Sequence, residues 1–251
     1  MPESDRTVQS SDLAAALVLL SRLPLRVSAA SLSRGARTAW SWPLAGLILA
    51  LLAWALARIA QAVGVPSEIS ALLALATLVI ATGALHEDGL ADVADGFWGG
   101  FDRARRLEIM RDSRIGSYGV LALVLGLALR GAGLIALVDH LFVALLVPAA
   151  LSRAAMAYVM QELPPARPDG LSRATGRPGA PALQLALALA GLAALILAGW
   201  AGLWALIATA AACVACANIA LAKIGGQTGD TLGATQQITE IAALIALSAA
   251  L

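Results

Sequence analysis

Four carboxylates lie within nine residues of a chain that is otherwise strongly apolar. They are Glu87, Asp88, Asp92 and Asp95, in the segment HEDGLADVADG at residues 86–96. If this segment is helical, Asp88, Asp92 and Asp95 share one face, and Glu87 points away from it. Carboxylate oxygens on one face are the ligands that Mg²⁺ prefers, usually with substrate phosphate completing its shell. The spacing therefore predicts that the three aspartates bind metal and act in catalysis; the alternative is a solvated, acidic helix face.

Two glycines in the same segment favour a functional site over a plain surface helix. Gly89 and Gly96 lower the stability of a helix, and a helix end with a purely structural role would not benefit from them. Because they lack a side chain, they would let a bulky group approach the backbone closely. We therefore expect both positions to be sites of close approach.

A basic segment, residues 103–114, follows the acidic one. Apolar residues interrupt its charges at roughly helical spacing, which is typical of a short helix on a membrane surface. Near its end, Arg111 and Arg114 flank Asp112, and two guanidinium groups beside an acid can bind phosphate through paired hydrogen bonds. We predict that Arg111, Asp112 and Arg114 bind substrate phosphate; the alternative is a basic loop that only sets topology.

A glycine-rich segment, GGQTGDTLG at residues 225–233, is the third candidate. It has four glycines in nine residues, together with two threonines and an aspartate. Backbone N–H groups in such a loop can face an anion, although the GK[ST] ending of a Walker A loop is missing. The pattern predicts phosphate contacts from Gly226, Thr228, Gly229 and Asp230; a turn at the membrane edge is the alternative.

The elements that must position these residues are membrane helices. Sixty per cent of the residues are hydrophobic and 13% are charged, whereas soluble domains average about a quarter charged residues. Lipid in place of water around most of the surface accounts for this composition. The net charge of +1 argues against a partner such as nucleic acid.

Seven apolar segments come close to the roughly 20 residues that a spanning helix needs. They cover residues 40–62, 69–85, 115–138, 141–160, 182–198, 203–222 and 238–251. Residues 199–202, Gly-Trp-Ala-Gly, form the turn expected between the fifth and the sixth. The stretch 13–20 is too short to span and is expected to be an interfacial or re-entrant helix. The sequence thus predicts an all-α, polytopic integral membrane protein with about seven transmembrane helices, forming one catalytic domain over residues 1–251.

The basic residues predict the orientation of these helices. Residues 1–39 and 86–114 each contain five arginines and residues 161–181 contain three, whereas the intervening connections contain none. By the positive-inside rule, the N-terminus and the long polar loops face the cytoplasm. Two of these loops hold the motifs above, namely the acidic and basic loop 86–114 and the glycine-rich loop 223–237.

Ionisable residues inside the predicted spans are also candidates, because charge is costly in lipid. Arg153 lies seven residues from the cytoplasmic end of its span, and we predict that it binds substrate. The sequence leaves the roles of Glu87, Arg130 and Glu240 open. Glu240 would either add a carboxylate near the glycine-rich loop or pair with an arginine.

Three long motifs, HEDGLADVADG, EIMRDSRIGSYG and GGQTGDTLGA, together resemble the cobalamin 5′-phosphate synthase family, also called the adenosylcobinamide-GDP ribazoletransferases. Shorter matches, SRLP at residues 21–24 and Ser152-Arg153 among them, spread the resemblance over the whole chain. Through the first of these, the resemblance adds Arg22 to the predicted substrate-binding residues. This chain departs from the family at Glu87, where the family commonly has an apolar residue.

The resemblance implies a reaction, a cofactor and a location. The ribose hydroxyl of α-ribazole, or of its 5′-phosphate, attacks the cobinamide-linked phosphorus of adenosylcobinamide-GDP. GMP leaves, and adenosylcobalamin or its 5′-phosphate forms. Mg²⁺ is the expected cofactor, and the expected location is the bacterial inner membrane, in contact with lipid and with the active site on the cytoplasmic side. The sequence leaves open whether the protein forms a homo-oligomer.

Two other functions remain as alternatives. CDP-alcohol phosphotransferases, which form lipids, also carry spaced aspartates on membrane helices, but their motif begins DGxxAR. Here Asp88-Gly89 is followed by Ala91-Asp92. A transporter would need ionisable residues near the bilayer midplane and often internal repeats, whereas these acids cluster at one membrane face and the two halves show no repeat.

Overall fold

The computed structural model describes residues 8–251, and over that range the protein is built from α-helices with no β-strand. The described residues form eleven α-helices, which are joined by short connections and two 3₁₀ helices. In chain order they are α1 (Asp12–Leu20), α2 (Ala29–Leu32), α3 (Trp42–Ala62), α4 (Ser67–Thr82), α5 (Leu85–Gly99), α6 (Arg103–Ile109), α7 (Ser117–Ala136), α8 (Leu141–Glu162), α9 (Leu171–Thr175), α10 (Ala180–Ile224) and α11 (Gly229–Ala250). The all-α class predicted from the sequence is therefore confirmed.

Most of every predicted span is helical, but these helices differ in length and hydropathy. By length and hydropathy, four helices of the described chain could cross a membrane, or five if the bent pair α4 and α5 counts as one span. Large apolar side chains on the outer helices, such as Leu121 and Val124 on α7, are more than half exposed. Extensive apolar surface of this kind is unusual in a soluble monomer and is expected where lipid covers it. The count of seven spans stays a prediction.

The long helix α10 is two helices that fold back on each other. Gly199 has φ 52° and ψ −122°, a conformation that interrupts the helix. A Cβ atom on Gly202 would collide with the carbonyl oxygen of Ala194, and one on Gly191 would lie 3.4 Å from Leu206. Residues 15 apart in a straight helix would be about 22 Å apart, so the chain reverses at Gly199. The turn predicted at 199–202 is confirmed.

A sharp bend separates α4 from α5, although the chain between them is only two residues long. The two helix axes differ by 84°. Gly83 and Ala84 both adopt left-handed backbone conformations, with φ 64° and 56°. The acidic segment is helical, as the spacing of its aspartates supposes, but it does not continue the preceding span, because Gly83 ends that helix and the chain restarts at Leu85 in a new direction.

Helix α8 lies at the centre of the molecule, packed against α3, α10 and α11. Small residues allow this packing: a Cβ on Gly46 of α3 would come within 2.5 Å of the Ala149 carbonyl oxygen of α8. Membrane helices commonly approach through such positions, because backbone contact replaces the hydrophobic effect that lipid removes. Around this centre, α5 packs between α7 and α11, which brings the acidic segment against the glycine-rich one.

The N-terminal helix α1 is tied by a buried carboxylate to the 3₁₀ segment that precedes α3. Asp12 is fully buried, pairs with Arg34 and accepts a hydrogen bond from Trp40 Nε1 at 2.7 Å. Residues 12–20 thus form a helix where the sequence predicts a short one. Its interfacial or re-entrant placement stays a prediction.

Candidate active site

Helices α5 and α11 meet at a point where three aspartates approach one another. Asp88 and Asp230 line one cavity, and Asp92 is close enough to both for their charges to affect its ionisation. Asp88 and Asp92 belong to the predicted metal set, whereas Asp230 was predicted as a phosphate contact. The structure therefore brings residues of two separate motifs into one acidic cluster, defined here as Asp88, Asp92 and Asp230.

Glycines bring the two helices to this distance. A Cβ on Gly89 would lie 2.7 Å from the Asp230 carbonyl oxygen, and a Cβ on Gly233 would lie 3.2 Å from the His86 Cα. The close approach expected at Gly89 and Gly96 is present, but the approaching groups belong to the protein. At Gly96 the neighbour is Met110, which follows α6.

The acidic cluster favours a bound cation. Burial, followed by repulsion from Asp230 and Asp88, raises the pKa of Asp92 to about 7. Burial also raises the pKa of Asp230, while Arg167 and a hydrogen bond from Thr228 oppose that rise. Both aspartates lie outside the predicted spans, and a nearby cation would restore their charged forms. Hard oxygen donors in this number fit Mg²⁺, which is usually held by one or two carboxylates with substrate phosphate.

Within residues 8–251, no three His, Cys, Asp or Glu side chains already converge on one metal position. Asp95 is one reason for the missing convergence, because its carboxylate contacts the start of α7. Its two carboxylate oxygens accept hydrogen bonds from the backbone N–H groups of Gly116 and Gly119, at 2.7 and 2.9 Å. Asp95 thus caps the N-terminus of α7, where a negative charge is favoured. Its predicted role as a metal ligand is untested.

The predicted phosphate-binding group in the basic segment lies outside the cavity lining. Arg114 is exposed and donates hydrogen bonds to both oxygens of Asp112, which lowers the pKa of Asp112 to about 2. Arg111 pairs with Asp169, and Asp169 does line the cavity. The structure therefore links Arg111 to the cavity rim through one acid, and it leaves Arg114 in solvent. Phosphate binding by these residues stays a prediction.

Other arginines of the basic segment hold helix ends. Arg103 donates from Nε to the Ile224 carbonyl oxygen at 2.7 Å, and Arg106 donates from Nη1 to the Lys223 carbonyl oxygen at 3.0 Å. These carbonyls belong to the last turn of α10, whose unpaired acceptors and partial negative charge favour cations. The basic segment thus fastens α6 to α10.

Arg167 is a site residue that the sequence interpretation counted only as a topological charge. Its Nη1 lies 3.4 Å from Asp230 Oδ2, and its Nη2 donates to the Leu107 carbonyl oxygen at 3.3 Å. It lines the cavity and is mostly buried. A sequence feature that singles out Arg167 is its position between Pro165 and Pro168. Prolines restrict their own backbone and that of the preceding residue, and so restrict the direction in which this side chain leaves the backbone.

The glycine-rich segment opens onto the same cavity at the N-terminus of α11. Thr228 and Thr231 cap each other's backbone N–H groups, at 3.3 and 2.8 Å. Thr228, Gly229 and Asp230 line the cavity, and the N-terminus of a long helix is a favourable place for an anion. Gly226 is placed differently, because a Cβ there would strike the Pro164 carbonyl oxygen. It allows the segment to pair with residues 164–166.

Arg153 and Arg22, which are also predicted to bind substrate, do not line the cavity. Arg22 is exposed and lies over Gly83 at the end of α4. Arg153 is buried and donates from Nη1 to Glu240 Oε2 at 3.0 Å. Glu240 therefore pairs with arginine, which is one of the two roles that the sequence leaves open for it.

A buried charge network surrounds that pair. Arg130 donates to Glu87 Oε1 at 2.7 Å and to Glu240 Oε1 at 2.9 Å. Glu87 thus faces the network while Asp88 faces the cavity, as the helix geometry predicts. With Arg153, the network has four members, two glutamates and two arginines. Its net formal charge is therefore zero.

Comparison with known proteins gives one consistent result. The family model for cobalamin-5-phosphate synthase matches residues 12–248. An adenosylcobinamide-GDP ribazoletransferase of Sinorhizobium medicae is 45% identical over 256 residues, covering 96% of this chain and 97% of the relative. The Azorhizobium caulinodans protein of the same name is 48% identical over 247 residues, covering 93% and 94%. No solved structure matches significantly. A match that includes the acidic, basic and glycine-rich motifs leaves one assignment: the chain belongs to the cobalamin-5-phosphate synthase family.

Proposed function

We propose that this protein joins adenosylcobinamide-GDP to α-ribazole or α-ribazole 5′-phosphate, the reaction named in its relatives. A ribose hydroxyl oxygen forms a bond to the cobinamide-linked phosphorus, the bond from that phosphorus to the GMP oxygen breaks, and the hydroxyl proton is released. The observation that carries the proposal is that the family match spans residues 12–248 and includes both helices that form the acidic cluster.

The acidic cluster would hold the Mg²⁺ that such a reaction uses. Asp88 and Asp92 would be its ligands from α5 and Asp230 its ligand from α11, with Asp95 at the edge of the set. When bound, Mg²⁺ supplies charge neutralisation at the diphosphate and its leaving oxygen. The support is the proximity of these carboxylates and the repulsion that raises the pKa of Asp92.

Positive groups beside the acidic cluster would bind the phosphates. Arg167 and the N-terminus of α11 line the cavity next to Asp230, and both favour anions. Arg111 is held at the rim by Asp169. Since displacement at phosphorus needs mainly alignment and electrostatic stabilisation from protein, this arrangement suits the reaction without requiring a covalent intermediate.

The proposed location is the cytoplasmic face of the bacterial inner membrane. The N-terminus of α7 contacts Asp95 of the acidic segment, the N-terminus of α11 carries Asp230 of the acidic cluster, and the C-terminus of α10 contacts α6. The site therefore lies at one end of these helices. The arginine-rich segments lie at the same end, which the positive-inside rule assigns to the cytoplasm.

The test is product formation by the purified protein. Incubation with adenosylcobinamide-GDP, α-ribazole 5′-phosphate and Mg²⁺ should give adenosylcobalamin 5′-phosphate and GMP, detected by mass. A parallel reaction with CDP-diacylglycerol and an alcohol acceptor should give no product. Turnover in the second reaction alone would contradict the proposal and favour the lipid-forming alternative.

A further inference from the structure

The cavity beside the acidic cluster contains an unusual share of unsatisfied polar atoms. Seven buried side-chain nitrogen or oxygen atoms within residues 8–251 have no hydrogen-bond partner. Four belong to residues that line this cavity, namely Trp42 Nε1, His86 Nε2, Arg167 Nε and Gln227 Oε1. Trp42, His86 and Gln227 are each at least 98% buried. Unpaired buried polar groups are costly, and native proteins keep few of them, so their concentration here points to a ligand.

The same cavity also has a set of apolar side chains in its lining. They belong to Leu19, Leu85, Met156, Met160, Leu171 and Leu232, and the cavity is partly open to solvent, with about 900 Å³ of space free of protein atoms. Methionine side chains adapt to an irregular shape and make favourable contacts with aromatic rings, and ligand pockets typically combine apolar walls with a few placed polar groups. The combination of apolar side chains with unpaired polar atoms suits a flat aromatic ring that carries at least one polar atom.

The two substrates of the proposed reaction differ in this respect. The corrinoid is far larger than the cavity, and the guanine of the donor carries several hydrogen-bonding groups around its edge. The base of α-ribazole is a dimethylbenzimidazole, which is apolar except for one free ring nitrogen that accepts a hydrogen bond. Trp42 Nε1 can only donate and has no acceptor within residues 8–251.

We propose that this cavity binds the benzimidazole base of the ribonucleoside substrate between Trp42 and the methionines of α8, with Trp42 Nε1 donating to the free ring nitrogen. Because Asp88, Asp230 and Gly229 line the same cavity, a base seated against Trp42 would have its ribose beside the acidic cluster. The inference rests on the proposed function and specifies which substrate occupies which part of the site.

The test compares Trp42→Phe with Trp54→Phe in the purified full-length protein. Trp42→Phe keeps an aromatic ring and removes the indole N–H. Trp54 lies on the same helix, packs edge-on against Phe142 at 5.2 Å between ring centroids and does not line the cavity. KM is measured separately for α-ribazole and for adenosylcobinamide-GDP, and binding of labelled α-ribazole alone is measured by equilibrium dialysis.

Trp42→Phe should raise KM and Kd for α-ribazole by about fivefold to tenfold, with KM for adenosylcobinamide-GDP changed by less than about twofold, because one neutral hydrogen bond is lost. Trp54→Phe should leave all three values unchanged. A rise confined to KM for adenosylcobinamide-GDP would place its guanine in the cavity and overturn the proposal. Unchanged values for Trp42→Phe would overturn it as well.

A ligand series on the unmodified protein gives a test that does not depend on the folding of a variant. Affinity in dialysis should fall in the order α-ribosides of dimethylbenzimidazole, benzimidazole and imidazole, because less apolar ring surface is buried, and GMP should not compete. Equal affinity across the series, or competition by GMP, would refute the proposal that this cavity binds the benzimidazole base. Graded binding without any transfer to adenosylcobinamide-GDP would instead contradict the proposed function alone.

Discussion

Asp88 and Asp92 lie where a cation would relieve their repulsion from each other and from Asp230. Substituting asparagine at Asp88 or Asp92 keeps the volume and removes the charge. Each change should lower the steady-state rate by a factor of about 10² to 10³, typical for a lost charge-stabilising contact. Raised Mg²⁺ should recover part of that loss if the defect is metal affinity. The measurement is a Mg²⁺ titration of the rate, with the amount of membrane protein checked for each variant.

Glu87→Gln is the matched control for that titration. Glu87 lies on the same helix, but its carboxylate accepts from Arg130 and Gln237. Its loss should lower stability, because Arg130 keeps only Glu240 as a charged partner, and the Mg²⁺ dependence should stay normal. An altered Mg²⁺ dependence in Glu87→Gln together with a normal one in Asp92→Asn would show that the acidic cluster has been assigned to the wrong face of α5.

Arg167 gives a second prediction at the scale of single residues. Arg167→Lys keeps the charge but loses the planar fork that can contact a carboxylate and a phosphate together. The rate should fall by about tenfold or more, since hydrogen bonds to charged groups are the strong ones. Arg173→Lys, an exposed position in the next helix, should retain normal activity. Equal rates for both variants would remove Arg167 from the site.

At the scale of helices, close packing of α5 on α11 sets the distance between Asp88 and Asp230. Gly89→Ala should push the helices apart, because the new methyl group would lie 2.7 Å from the Asp230 carbonyl oxygen. Activity and the thermal midpoint in detergent should both fall. Gly99→Ala, on the same helix, meets only Ile109 at 3.8 Å and should be neutral. A fully active Gly89→Ala protein would contradict the packing described for these helices.

Asp95 of α5 caps the N-terminus of α7, so this cap also depends on how two helices pack. Asp95→Ala removes both acceptors from the N–H groups of Gly116 and Gly119 and should lower the free energy of unfolding by about 1 kcal/mol, the usual value of such a cap. Asp95→Asn retains one acceptor and should lose less. If both variants kept normal stability and lost activity, the capping role would be contradicted, and Asp95 would act as a metal ligand.

At the scale of the whole molecule, the buried charge network joins α5, α7, α8 and α11. Its four members, Glu87, Arg130, Arg153 and Glu240, are each at least 94% buried. Removing one partner of a buried pair is strongly destabilising because it leaves an uncompensated charge, and the cost persists where lipid surrounds the protein. The network therefore connects the helix that carries the acidic segment to the centre of the bundle.

Topology gives the last prediction. Reporter domains fused after Leu163 and after Gln227 should report a cytoplasmic location, and one fused at Gly199 should report an external one, since Gly199 is the reversal point of α10 and arginine-rich segments stay inside. The measurement is the activity of reporters that function in only one compartment. A cytoplasmic signal at Gly199 would require α10 to re-enter the membrane instead of crossing it twice.

Much of the fold follows from features that are local in the chain. Apolar length predicts the long helices, the glycines at 199–202 predict the reversal, and helical periodicity separates Glu87 from Asp88. Hydropathy, glycine flexibility and the 3.6-residue repeat depend only on neighbouring residues. For the same reason the three motifs were enough to predict the family.

Only the tertiary structure decided which distant residues meet. The local pattern groups Asp95 with Asp88 and Asp92; packing shows in addition that Asp95 caps the N-terminus of α7 and that Asp230, from a distant motif, joins the cluster. Arg167, which the sequence marks only as one loop charge among several, lies beside Asp230 because residues 164–166 pair with the glycine-rich segment. Such contacts depend on how helices far apart in the sequence pack against each other, and no period or composition within one segment contains that information.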